Sequence, residues 1–135
     1  GSEMCIRDRE LGADGVQIAS RFVATKECDA AEEYKQAYIN AKKEDVQIIQ
    51  SPVGMPGRAL RNEFIKGLES ARKPITKCYN CLEKCDPRSV PYCITKALID
   101  AVRGDIENGL IFCGENVNRI HEMTTVHDLM QELCY

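Results

Sequence analysis

The 135-residue sequence contains no tryptophan, and aromatic residues make up only 6% of it. Basic residues are not in excess either, because 18 Lys and Arg stand against 21 Asp and Glu, which gives a formal net charge of -3. Proteins that bind single-stranded nucleic acid combine stacking aromatic side chains with a positively charged groove, and duplex binders carry a basic patch. We therefore expect no nucleic-acid partner.

Long hydrophobic runs are also missing. No apolar stretch approaches the roughly 20 residues that a transmembrane helix requires. The N-terminus lacks the charged segment followed by an apolar segment that is typical of a secretory signal peptide. With 44% hydrophobic residues the chain is still able to bury a core, so we expect one soluble globular unit, no membrane association and a cytoplasmic location.

The first nine residues show no period, and the run from Met4 to Arg9 resembles translated adapter sequence at the end of a sequence fragment. We therefore expect residues 1–9 to be non-native and exclude them from the fold argument. Native sequence is then expected to start near Glu10 or Leu11 and to continue upstream in the real protein.

The first part of the remaining chain has the pattern of a strand, a loop and a helix. Residues 12–22 predict a tight turn and a short strand in which Val16 and Ile18 share one face. Asp29 is a candidate N-cap for a helix over residues 30–43. A strand that ends at small residues before a capped helix is an arrangement that α/β proteins use to bind phosphate, although most such turns bind nothing.

The middle of the chain alternates loops and amphipathic helices. Residues 46–49 form a second short apolar stretch, and two prolines and two glycines between Ser51 and Gly57 predict a loop. Apolar residues at helical spacing predict helices over residues 58–68 and from Ile94 to Val102, the second ending at Gly104.

Two further segments near the C-terminus carry apolar patterns. Residues 109–114 are mostly apolar without a clear period, and Asp105 as a possible cap favours a helix there. Thr124 or Thr125 is expected to cap a final helix whose core-facing residues are Val126, Leu129, Met130 and Leu133.

Four segments carry a family resemblance. They are Gly12–Glu27, Pro52–Asn62, Ala101–Gly109 and the final helix at Val126–Leu133. Together they resemble the nitronate monooxygenase family, also called 2-nitropropane dioxygenase-like, which includes the flavin-dependent enoyl-ACP reductases. The resemblance implies an FMN-dependent oxidoreductase on a TIM barrel, with the segment at residues 12–27 as its last barrel strand and the loop that follows.

The resemblance also implies a cofactor site. The family's loop after the last strand usually reads Gln-x-Gly-Thr and holds the FMN phosphate with its backbone, and Gln17, Ile18, Ala19 and Ser20 take those places here. Ala19 in place of glycine still permits close approach if its backbone φ stays negative, and Ser20 keeps the hydroxyl group of threonine.

Length limits how much of such a barrel is present. A (β/α)8 barrel needs roughly 250 residues, so a 135-residue chain with one barrel strand cannot close one. The expected fold class is α/β, a C-terminal fragment of a TIM barrel followed by a mainly helical extension. The catalytic residues are expected upstream of this fragment. No chemistry is assigned to His121 or His127. The expected divisions are the last βα unit (10–50), a loop and helix (51–77), a cysteine-rich loop (78–93) and C-terminal helices (94–135).

Four of the eight cysteines crowd into sixteen residues. Cys78, Cys81, Cys85 and Cys93 have the spacing C-x2-C-x3-C-x7-C, which supplies enough thiolates for a zinc ion or a [4Fe-4S] cluster. The first two gaps resemble those of iron-sulfur flavoenzymes related to 2,4-dienoyl-CoA reductase. Reduced structural or redox-labile thiols are the alternative, and the other cysteines (Cys28, Cys113 and Cys134) are expected to be core or surface residues.

Three functions therefore remain open at this point. The first is part of an FMN-dependent oxidoreductase that oxidises alkyl nitronates with oxygen. The second is part of a flavin-dependent enoyl-ACP reductase, which acts on an enoyl thioester with a reduced nicotinamide. The third is a non-catalytic module that binds a metal ion or an iron-sulfur cluster through four cysteines.

Overall fold

The computed structural model describes residues 7–83 and 85–134. Over these residues it contains one two-stranded sheet and five α-helices, besides residues 7–10, which are also helical. In chain order they are α1 (Ser20–Val23), α2 (Glu32–Ile39), β1 (Val46–Gln50), β2 (Pro56–Leu60), α3 (Glu63–Ser70), α4 (Ile94–Val102) and α5 (Val126–Cys134). Short 3-10 turns lie at Lys43–Asp45 and Val117–Arg119. None of the described helices is both long and apolar enough to cross a membrane.

β1 and β2 form an antiparallel hairpin, with Val46 opposite Leu60 and Gln50 opposite Pro56. The apolar stretch predicted at residues 46–49 is therefore a strand. The connecting turn is closed by a 3.0 Å hydrogen bond from the Gly54 N–H to the Ser51 carbonyl, and Gly54 adopts a φ of +86° that favours glycine. Pro56 and Gly57, expected in the loop, belong to β2.

The expected helix over residues 109–114 is wrong, because this segment runs beside β2. The Leu60 N–H donates to the Ile111 carbonyl at 2.9 Å, and the Cys113 N–H donates to the Arg58 carbonyl at 3.0 Å. Asp105 accepts a hydrogen bond from the Asn108 N–H as a capping side chain would, but only a single turn follows it at residues 106–108 and no helix begins there. Leu110 and Ile111 are both buried, so a fully buried extended segment produced the continuous apolar run.

The expected helix over residues 58–68 also needs correction, because its first part is strand β2 and the helix α3 begins at Glu63. Asn62 separates the two elements. Its side-chain oxygen accepts a 3.0 Å hydrogen bond from the Ile65 N–H, as expected of an N-cap residue. The apolar residues that suggested one continuous helix therefore belong to two elements.

The core consists of two clusters on opposite sides of the β2 strand. Ala59 and Leu110 belong to the cluster that contains Phe64, Ile65, Tyr92 and Ala97. Leu60 and Ile111 belong to the other, which contains Ala24, Tyr38, Ala101, Val117 and Ile120. Successive residues of an extended chain point to opposite sides, so β2 and its neighbour contribute to both clusters.

Two expectations at the N-terminal end are wrong. The strand expected at Val16 and Ile18 is absent, and this segment has no regular secondary structure. No described strand lies beside it to form the backbone hydrogen bonds of a sheet. Asp29 does not cap the next helix, which was expected over residues 30–43 and instead begins at Glu32 after Ala31 and ends at Ile39. The N-cap position is taken by Ala31, whose N–H donates to the Val102 carbonyl at 2.9 Å.

The expected ends of the two C-terminal helices are confirmed. α4 ends at Val102, and Gly104 follows with a φ of +99°. Thr125 caps α5, since its hydroxyl oxygen accepts a 3.1 Å hydrogen bond from the Asp128 N–H. Leu129 on this helix is fully buried, whereas Met130, which was expected in the core, is 44% exposed.

Candidate functional site

A cavity of about 860 Å³ lies between the segment that precedes α1 and the segment that precedes the second 3-10 turn. The first segment contributes all four expected phosphate-binding residues, Gln17, Ile18, Ala19 and Ser20. The second contributes residues 114–117, and Leu133 of α5 completes the wall. A volume of this size falls within the range of small-molecule and cofactor pockets.

One hydrogen bond joins the two segments. The Gly114 N–H donates to the Ser20 Oγ at 2.9 Å, although the two residues are 94 positions apart. Ser20 is the first residue of the four-residue helix α1. The hydroxyl group predicted to contact a phosphate therefore lies at the junction of the two walls.

The backbone between Gly12 and Ala19 lines the cavity, and few other atoms pack against its glycines. A Cβ atom built on Gly12 or on Gly15 would meet no atom within 4 Å. Within the described chain, the backbone N–H groups of residues 14–19 donate no backbone hydrogen bond. Ala19 has a φ of -125°, which meets the condition set for an alanine at the position where the resemblance predicts a glycine. Exposed amides of this kind are suitable donors for an anion.

Three charged residues line the cavity, and two of them, Arg21 and Glu115, form ion pairs, whereas the third is the acidic residue Asp8. Arg21 forms a 2.7 Å ion pair with Glu132 of α5. Glu115 forms a 3.3 Å ion pair with Arg58 of β2. These pairs attach both walls to the rest of the fold, and they leave the amides and the Ser20 hydroxyl as the groups best placed to receive an anion.

A comparison with known proteins identifies the family. The sequence profile of nitronate monooxygenase matches residues 10–135. The chain belongs to the nitronate monooxygenase family. A probable nitronate monooxygenase of Staphylococcus saprophyticus is 38% identical over 55 residues, which are 41% of this chain and 16% of that protein. A probable nitronate monooxygenase of Staphylococcus aureus strain Newman is 36% identical over 56 residues, or 42% of this chain and 16% of that protein.

Solved structures agree with the family and establish the fold. FabK from Thermotoga maritima superposes with a TM-score of 0.73 at 25% identity over 99% of this chain. Its M276A variant superposes with a TM-score of 0.72 at 24% identity over 98% of the chain. The chain spans 40% and 36% of those two chains. The expected α/β fold class, part of a TIM barrel, is confirmed by these similarities.

The cysteine segment of this nitronate monooxygenase family member is placed apart from the cavity. Cys78 and Cys81 are exposed, Cys85 and Cys93 are half-buried, and all four thiols are free. Over residues 7–83 and 85–134, no three His, Cys, Asp or Glu side chains are arranged as a ready metal site. Cys113 is half-buried as expected, and burial raises the pKa of its thiol to about 11.

Two residues that hold the segment before the cavity wall through hydrogen bonds were not identified as such from the sequence. The Asn62 amide nitrogen donates to the carbonyls of Ile106 and Gly109, the second at 2.8 Å, and holds the segment before residues 110–112. The buried Tyr38 hydroxyl donates to the Phe112 carbonyl beside the cavity wall. The dipeptide Asn62-Glu63 before an apolar helix is a recognisable cap signal, whereas no local pattern indicates the partner of Tyr38.

Proposed function

We propose that this chain forms the phosphate end of the FMN site of a flavin-dependent oxidoreductase that acts on alkyl nitronates. One observation carries the proposal: residues 17–20 and 114–117 face one another across a cavity and are joined by the Ser20–Gly114 hydrogen bond. Family membership supports the redox class and the nitronate substrate. Bound there, FMN would supply redox chemistry between the substrate and an acceptor such as oxygen, while residues 17–20 and 114–117 would hold its phosphate end.

The residues present fit a phosphate group. The backbone of residues 14–19 offers donors that make no backbone hydrogen bond in the described chain, and the Ser20 hydroxyl lies beside them. Gly12 and Gly15 leave room for close approach of a ligand. Arg21 also lines the cavity, and its ion pair with Glu132 joins α1 to α5.

A second candidate is the enoyl-ACP reductase reaction. It is favoured by the 25% identical FabK structure, which superposes on 99% of this chain. Both candidates use the same phosphate end and differ in the substrate. In the full-length parent, oxygen-dependent loss of an alkyl nitronate supports the first candidate, and oxidation of a reduced nicotinamide with an enoyl thioester supports the second.

An NMR titration of the isolated chain tests the phosphate site. FMN is expected to shift the amide resonances of residues 14–20 and 114–117, with an affinity weaker than micromolar because one phosphate loop does not enclose the flavin. Riboflavin, which lacks the phosphate, is expected to leave these resonances in place. Equal shifts with riboflavin, or FMN shifts confined to other residues, contradict the proposal.

A matched pair of variants completes the test. Ser20→Asp places negative charge against the phosphate and is expected to abolish the FMN-dependent shifts. Ser70→Asp makes the same substitution at an exposed position outside the cavity and should leave them unchanged. If both variants respond to FMN as the wild type does, Ser20 does not belong to the site.

A further inference from the structure

The cavity wall formed by residues 114–117 depends on attachments outside its own segment. Before its 3-10 turn the segment lies in neither a helix nor a strand, so its position is set by the groups that bind its backbone. The Gly114 N–H donates to the Ser20 Oγ at 2.9 Å, and the preceding Cys113 N–H donates to the Arg58 carbonyl at 3.0 Å. A third attachment comes from helix α2, which packs against the 3-10 turn but does not line the cavity.

Tyr38 is the residue of α2 that makes this attachment. Its hydroxyl donates to the Phe112 carbonyl, although the two residues are 74 positions apart. Its ring belongs to the core cluster that contains Val117 and Ile120, and both of these residues also line the cavity. Only 2% of Tyr38 is exposed. One buried side chain therefore supports the wall both by hydrogen bonding and by packing.

A second tyrosine, Tyr34, orients the Tyr38 hydroxyl. The two hydroxyl oxygens are 3.0 Å apart, and the rings pack edge-on with their centroids 5.2 Å apart. A tyrosine hydroxyl has one proton, and Tyr38 donates its proton to the Phe112 carbonyl, so Tyr34 is the donor within the pair. Burial raises the pKa of the Tyr38 hydroxyl, which keeps that proton in place. The result is a directed chain of hydrogen bonds that ends on the wall segment.

Phe112 transmits this contact to the cavity. Its ring lies directly on Gly57 of β2, where an added Cβ atom would be only 2.5 Å from the ring. With the ring fixed there and the carbonyl fixed by Tyr38, the chain leaves Phe112 in one direction and reaches Gly114 two residues later. A part-buried carbonyl that loses its donor must turn toward another donor or toward water. Loss of the Tyr38 hydroxyl is therefore expected to shift the Gly114 amide.

We propose that Tyr38 is a positioning residue for the phosphate end of the cofactor site, an inference that rests on the proposed function for the identity of the ligand. Its hydroxyl holds the Phe112 carbonyl, and this contact places the Gly114 amide against the Ser20 hydroxyl. Tyr38 does not line the cavity, so it acts through the wall and not on the ligand. Removal of one buried hydroxyl should therefore weaken FMN binding from outside the site.

Hydrogen exchange of the ligand-free chain tests the effect on the wall. Tyr38→Phe removes the hydroxyl and keeps the ring, and we expect exchange of the Gly114 amide to accelerate about tenfold. The Gly54 amide, which closes the hairpin turn, is the internal reference and should be unaffected. Tyr34→Phe leaves the bond from Tyr38 to Phe112 in place and should have a smaller effect. Unchanged exchange at Gly114 in Tyr38→Phe, or equal acceleration in both variants, overturns the proposal.

An FMN titration separates positioning from a general loss of stability. Tyr38→Phe is expected to weaken the binding of FMN about tenfold, measured from the amide resonances of residues 17–20. Ile65→Val is the matched control, because Ile65 is buried in the core cluster on the other side of β2 and its truncation lowers stability without reaching the wall. Urea unfolding checks that the two variants lose comparable stability. Equal weakening of FMN binding in both would show that Tyr38 acts only through the stability of the fold.

The inference about Tyr38 and the proposed function fail in different ways. If FMN shifts no resonance of residues 14–20 in the wild-type chain, the phosphate site is absent and both proposals are overturned. If the wild type responds and Tyr38→Phe binds FMN equally well, the phosphate site stands and only the positioning role is overturned. A wild-type response together with weaker binding in Tyr38→Phe, and unchanged binding in Ile65→Val, supports both.

Discussion

Ser20 and Gly114 are joined by a 2.9 Å hydrogen bond in which the side chain accepts from the backbone. A Cβ atom on Gly114 would lie 3.3 Å from the same hydroxyl oxygen, so the two residues are in close contact. The segment that resembles a phosphate loop is therefore held by a segment near the other end of the chain. Folding of the candidate site requires both.

Ser20→Ala should release this contact. The lost hydrogen bond is expected to cost about 0.5–1.5 kcal/mol of stability, and the Gly114 amide should exchange with solvent faster. Hydrogen exchange followed by NMR measures the second effect residue by residue. Ser70→Ala serves as the control, and unchanged exchange at Gly114 in Ser20→Ala would contradict the assigned contact.

Gly109→Ala should destabilise the fold by about 1–3 kcal/mol. A Cβ atom at this position would lie 2.4 Å from the Ala101 backbone nitrogen and 2.6 Å from the Ala101 Cβ, so helix α4 would have to move. Gly15→Ala is the matched control because its Cβ would meet nothing within 4 Å. Urea unfolding compares the two variants, and equal midpoints would be inconsistent with the close packing at Gly109.

Asn62 has two functions that can be separated by substitution. Asn62→Ala removes the helix cap and the two contacts to carbonyl oxygens, with an expected loss of about 2–3 kcal/mol. Asn62→Asp keeps the cap but sets a carboxylate against the Ile106 and Gly109 carbonyls, so it should also be destabilising. Thermal unfolding in which Asn62→Asp matches the wild type would show that only the cap contributes.

Cys113 should react slowly with alkylating reagents near neutral pH. Burial raises the pKa of its thiol to about 11, so the protonated form dominates until the pH approaches that value and the nucleophilic thiolate is scarce. Iodoacetamide labelling followed by peptide mass spectrometry should therefore modify the exposed Cys134 first at pH 8. Labelling of Cys113 should accelerate as the pH rises toward 11, and equal rates at pH 8 would contradict the burial of this thiol.

Two signals confined to one element were read correctly from the sequence, whereas a third, the expected cap at Asp29, was wrong. Thr125 with Asp128 marks the start of the last helix, and Gly104 marks the end of α4, because caps act within a few residues. The four residues expected at the phosphate loop also line one cavity. Their contact with Gly114 was not predictable, since no local pattern encodes a partner 94 positions away.

Errors occurred where pairing between distant segments decided the structure. The apolar residues 109–114 carry no period that separates helix from strand, and their conformation is set by hydrogen bonds to β2. The reverse error occurred at Val16 and Ile18, which have a strand pattern but no described neighbour to pair with. Strand formation depends on a partner, and a single sequence segment does not specify one.

The β1–β2 hairpin also affects how the chain behaves at high concentration. β2 is covered by the extended segment at Phe112, whereas no other strand of the described chain pairs with the far side of β1. That outer edge, with Ile48 68% exposed, is a template for edge-to-edge association between copies. The charged residues 42–45 directly before it act as gatekeepers against aggregation, so neutralising them should lower solubility before it lowers stability.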